Sequence, residues 1–107
     1  MTKFVLYSNG EHFTGFETSG HSTVNADDNM GKLVCSAVSS AVIMTANAIT
    51  DIVNAKSTVE VKDGYLKVIV LEPNEKTDLL IESLKLHMTE LSNEYNGKIE
   101  ILKGGLH

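Results

Sequence analysis

Two side chains in this sequence stand in a relation that could support chemistry: Cys35, the chain's only cysteine, and His21, fourteen positions before it. A helix beginning near Cys35 would set the thiol beside backbone N–H groups that lack intrahelical partners, at the positive end of the helix dipole, and both favour the thiolate. His21 follows Gly20 at the end of a strand-like run, and the polar loop between them is long enough to fold back and bring imidazole to sulfur. If they meet, imidazole takes the thiol proton and later protonates a leaving amine, while the amides of Ser36 or Ala37 hold a tetrahedral oxyanion. That is a cysteine peptidase in outline. The plain alternative is a small apolar core cysteine and a turn histidine, and spacing does not separate the two.

Ser39 follows Cys35 by one helical turn, where its hydroxyl would bond either the sulfur or the Cys35 carbonyl. Asp27 and Asp28 are candidates to orient His21, or are simply solvated. His12, His87 and His107 read as strand, helix and tail positions, and no two histidines stand at metal-ligand spacing. No metal and no cofactor are expected, since no glycine cluster forms a phosphate loop.

The composition narrows the function classes. A formal charge of −5, with nine lysines and no arginine, argues against a surface that tracks nucleic-acid phosphates. The N-terminal MTKFVLYSNGEHFTG lacks the basic region and long apolar stretch of a secretory signal, and no membrane span of ~18 apolar residues is expected. A lone cysteine forms no internal disulfide, which fits a reducing compartment. The expectation is a cytosolic protein with no membrane or nucleic-acid partner, and residues 1–107 suffice for one domain with one core.

The elements that must position Cys35 and His21 follow from periodicity. KFVLYS and EHFTGFETSG flank Asn9-Gly10, the turn pair favoured in two-residue hairpins, and Gly15 would permit a bulge that turns both Phe13 and Phe16 inward. Ser22 to Lys32 has no period and reads as a mobile loop. From Val34 the apolar residues recur at three and four, predicting a buried helix through Val53. TVEVK, Asp63-Gly64 and YLKVIVL predict a second hairpin. Beyond Pro73, Asn74 or Thr77 would cap a second helix ending at Gly97. Leu79, Ile81 and Leu86 widen its apolar surface, which suggests deep burial or a homodimer face. KIEIL closes the chain as a strand. The order ββαββαβ predicts an α+β fold, two helices on a mainly antiparallel sheet.

Gly20-His21, the glycine-containing loop, an apolar pair and then Cys35-Ser36-Ala37-Val38-Ser39 resemble the signature of the bacterial ribosomal-processing cysteine proteases called Prp. The order of elements matches over nearly the whole chain. The resemblance implies a Cys35–His21 dyad, a mobile cover over residues 22–32, and a homodimer. It also implies a substrate: the N-terminal extension of the large-subunit ribosomal protein numbered twenty-seven, cut after an aromatic residue. Many members carry aspartate where this chain has Lys32, before Leu33-Val34. If Lys32 faces the site, its charge favours the Cys35 thiolate. The rival reading is a non-enzymatic regulatory or binding module of ferredoxin-like type, with Cys35 as a packing residue.

Overall fold

The protein is described from a computed structural model in which residues 1–20 and 28–104 are placed. The order is β1 (Thr2–Ser8), β2 (Phe13–Ser19), α1 (Asn29–Asn47, continued by a π-helical turn, Ala48–Ile52), β3 (Ser57–Lys62), β4 (Tyr65–Val70), α2 (Glu75–Glu94) and β5 (Ile99–Gly104). The strands form one sheet, β3-β4-β2-β1-β5, with only the β1–β5 pair parallel. This is the α+β arrangement that the sequence predicts.

Alternation fixes which sheet face meets the helices. Phe4 and Leu6 of β1, Phe16 of β2, and Leu66, Val68 and Val70 of β4 are buried in one cluster with Val34, Val38, Val42 and Ile49 of the first helical segment and Ile81, Leu84, Met88 and Leu91 of α2. Full burial of side chains such as Phe4 and Met88 stabilises by about 1.5–3 kcal/mol each. On the opposite face Tyr7 lies against Gly104, where an added Cβ would meet its ring at 2.3 Å. Its hydroxyl donates to Glu17, and burial followed by that carboxylate pushes its pKa up to about 12.

The first hairpin departs from expectation at its tip. Asn9 and Gly10 do not make a two-residue turn; the Asn9 side-chain oxygen accepts from the amides of Glu11 and His12, which stretches the connection to four residues. The β1–β2 register then slips between Tyr7 and Ser8, so that Tyr7 faces Gly15 while Ser8 faces Phe13. Thr14 is the extra residue of a bulge, and Phe13 and Phe16 both reach the core, as anticipated. The second hairpin turns through Asp63-Gly64 as read. In α2, Asn74 is the N-cap and Thr77 returns the bond to its amide at 2.9 Å, a complete capping box. Ile81 is fully buried, whereas Leu79 and Leu86 stay exposed.

α1 begins at Asn29, several residues earlier than its apolar period suggests, because Asp28 caps it by accepting from the Gly31 amide. An 18-residue window of the helix spanning Asn29–Ile52 reaches a mean hydropathy of 1.6, so this stretch does meet the length and composition of a membrane span, contrary to the sequence expectation. In this fold its Val34, Val38, Val42 and Ile49 are buried in the core.

Two stability predictions follow from this packing. At Gly15 a Cβ would stand 2.1 Å from the Val68 carbonyl oxygen, across the β2–β4 pair; Gly15→Ala is expected to cost about 3 kcal/mol or more in urea denaturation. His12 Nδ1 lies 2.5 Å from Asp78 Oδ2, tying the hairpin tip to the start of α2, and that hydrogen bond, with the Asp78, Glu11 and Glu75 charges, raises the His12 pKa against a smaller desolvation effect. A raised histidine pKa stabilises the fold below the unfolded value of about 6.5, and the gain is lost as pH rises through the folded value. The melting temperature of the wild type relative to Asp78→Asn should therefore fall as pH rises from 6 towards 9.

Candidate active site

Val34 and Val38 are buried, which fixes the rotation of α1 and leaves Cys35 half-buried at the edge of its packed face. Ser39 and Ile43 follow at intervals of four residues on the same flank. Beneath this flank lies a cleft of about 380 Å³, whose far wall is the end of the sheet: Thr18 to Gly20 of β2 and its exit, Val61 and Lys62 of β3, the Asp63-Gly64 turn, and Tyr65 and Leu66 of β4. Cys35, Ser36 and Ser39 line it. Ala37 does not, and packs against the core instead.

The sheet end is held by a backbone approach that only glycine permits. Gly20 has φ +83°, a Cβ there would stand 2.7 Å from the Met1 carbonyl oxygen, and its amide donates to the Gly64 carbonyl at 3.1 Å. The chain therefore leaves β2 at the wall of the Cys35 cleft. His21, the next residue, lies outside the described residues, as do Asp27 and most of the segment read as a mobile cover.

The early start of α1 changes the electrostatic argument for Cys35. The thiol stands nearly two turns inside the helix, not at its first turn. The amides of Ser36 and Ala37 consequently belong to the helical ladder and bond the carbonyls of the preceding turn, so in this conformation they are not open oxyanion donors. Asp28 is likewise committed: one carboxylate oxygen caps Gly31, and the other accepts from Lys98 Nζ at 3.1 Å, a partly buried pair that pins the start of α1 to the chain entering β5. Lys32 is exposed, has its amide bonded to the Asp28 carbonyl, and does not line the cleft.

The wall opposite Cys35 contains residues that the sequence did not single out. Tyr65 has its phenol held above the usual range by burial and then by the Glu17 and Glu60 carboxylates, so it stands in the wall as a neutral hydroxyl. Lys62 stacks its ammonium 5.6 Å from the Tyr65 ring centre and pairs with Glu60 at 3.0 Å. Among the described residues no three His, Cys, Asp or Glu side chains gather as a metal site.

The sequence profile of the family "Cysteine protease Prp" matches residues 1–100. Two structures of the ribosomal processing protease Prp from S. aureus, one with a covalently linked product peptide and one with a substrate peptide, each superpose with a TM-score of 0.85 over 97% of this chain and 100% of theirs, at 17% and 15% identity. SMU.848 from Streptococcus mutans superposes with a TM-score of 0.82 at 20% identity, over 98% of this chain and 95% of that one. At such identities the structural likeness speaks for the fold alone. No curated protein matched by sequence. The profile, spanning nearly the whole chain, carries the assignment: this chain belongs to the Prp family of cysteine proteases.

Proposed function

We propose that the chain is a Cys–His endopeptidase of ribosome maturation, which removes the N-terminal extension of the large-subunit ribosomal protein numbered twenty-seven by cutting after an aromatic residue. The observation that carries this reading is the placement of Cys35 in an open cleft whose wall includes Gly20, the residue before His21. The S. aureus relatives, solved with substrate and product peptides, support a peptide as the ligand.

In this mechanism His21 takes the Cys35 proton, and the thiolate attacks the scissile carbonyl carbon. The tetrahedral intermediate collapses as the imidazolium gives its proton to the leaving amine. Water, deprotonated by His21, then attacks the thioester; the acid product leaves and the thiol is restored. Because Cys35 lies well inside α1, activation rests on His21 more than on the helix terminus. The same reading places the enzyme in the cytosol as a homodimer, with Leu79 and Leu86 on the open side of α2 available to a second copy.

Mass spectrometry of the ribosomal-protein precursor tests this directly. A single cut after an aromatic residue is expected with wild type and none with Cys35→Ala. Iodoacetamide should alkylate Cys35 at least about tenfold more slowly at pH 7 in His21→Ala than in wild type. A cut that persists in Cys35→Ala would sink the assignment.

A further inference from the structure

β3 is the uncovered edge of the sheet, and its alternation has an unusual outcome. Val59 and Val61 pair across the ladder with Val68 and Leu66, so they lie on the face of the sheet that elsewhere forms the core. Val68 and Leu66 are buried, yet Val59 is 43% exposed and Val61 66% exposed. On the other side of the opening Ile43, 50% exposed, projects from α1 into the same cleft as Val61 and Cys35. Two branched apolar side chains thus face one cleft with neither removed from water, and the cleft is continuous with the thiol.

The spacing says what would cover them. Cys35, Ser39 and Ile43 rise along α1 in two steps of four residues, which puts Ile43 about 12 Å along the axis from Cys35. An extended peptide, advancing about 3.3 Å per residue, covers that distance in about four residues. The peptide that places its scissile carbonyl at Cys35 is therefore the occupant whose reach matches. Its side chain at Ile43 and Val61 must be apolar, because the contacts offered there are aliphatic.

We propose that Ile43 and Val61 are specificity-determining residues, forming an apolar subsite that holds a substrate side chain about four residues from the scissile bond. This rests on the reading of the Cys35 cleft as the peptidase site. The subsite selects for shape and apolarity at a position remote from the bond cut, and contributes through peptide binding.

The test is a double-mutant cycle on kcat/KM with peptides derived from the ribosomal-protein extension, in which each residue from the third to the fifth on either side of the cut is changed in turn between Leu and Asn. Wild type is expected to lose about tenfold or more in kcat/KM when the residue at one of these positions is Asn. In Ile43→Asn and Val61→Asn that preference should shrink to within about threefold, with iodoacetamide reactivity of Cys35 unchanged. Both substituted residues are half or more exposed, so the fold tolerates the change. Loss of activity that is equal for all peptides, or an unchanged preference, overturns the subsite while Cys35-dependent cleavage keeps the protease assignment. A dimer that becomes monomeric in Ile43→Asn by sedimentation overturns it in favour of an interface between copies. Absence of Cys35-dependent cleavage removes both readings together.

Discussion

The seating of α1 in the shared core governs the rest of this structure. Its buried positions are Gly31, Val34, Val38, Ala41, Val42, Thr45 and Ala46, mostly small or β-branched, and the apolar ones from Val34 to Ala46 share one core with Phe4, Phe16 and Val68. Dense packing of this kind leaves no freedom for the helix to roll, since core side chains are felt to the scale of a methylene. The rotation that buries Val34 and Val38 is therefore the rotation that sets Cys35 on the flank. Thr45 adds to this by returning its hydroxyl to the Ala41 carbonyl, which lets a polar residue sit inside the core.

A five-stranded sheet is wider than two helices can cover, and this mismatch is what makes a cleft. The core residues of β1, β2 and β4 are capped by α1 and α2, and β3 is left over. In a purely structural protein an edge strand with two aliphatic side chains on its core face would be a liability, which natural sheets commonly blunt with charge. Here Glu60, Lys62 and Asp63 supply charge along the strand and its turn while Val59 and Val61 remain apolar. The combination fits a strand kept soluble on one face and available on the other.

Much of the fold was legible in the sequence. The Asp63-Gly64 hairpin, the Asn74–Thr77 start of α2, the bulge beside Gly15 and the order ββαββαβ all express local rules of turn chemistry and periodicity. What failed was longer in range. The start of α1 could not be read from Asn29, Met30 and Lys32, which are exposed and carry no apolar period; the signal was Asp28 as a cap, and its second oxygen is committed to Lys98, seventy positions away. Asn9-Gly10 misled because the Asn9 side chain builds a wider turn of its own. At the candidate site, Cys35 and His21 were singled out by residue type and spacing, and resemblance to a family implied that they form a dyad. Ile43, Val61 and Tyr65 were missed because periodicity reports which residues share a face but is silent on whether anything covers it.

The parallel pairing of β1 with β5 places Thr2 beside Ile99, and the Thr2 amide bonds to the Lys98 carbonyl at 3.0 Å. Closing this pair spans nearly the entire described chain, an entropic cost that the local hairpins do not meet. From the same place Lys98 reaches Asp28, and through it the first turn of α1. A chain still under synthesis therefore holds Cys35 before it has the Lys98 that pins the start of α1. For an enzyme that cuts polypeptides this is a form of safe conduct during synthesis: the half-made chain carries its nucleophile but not the frame that aims it.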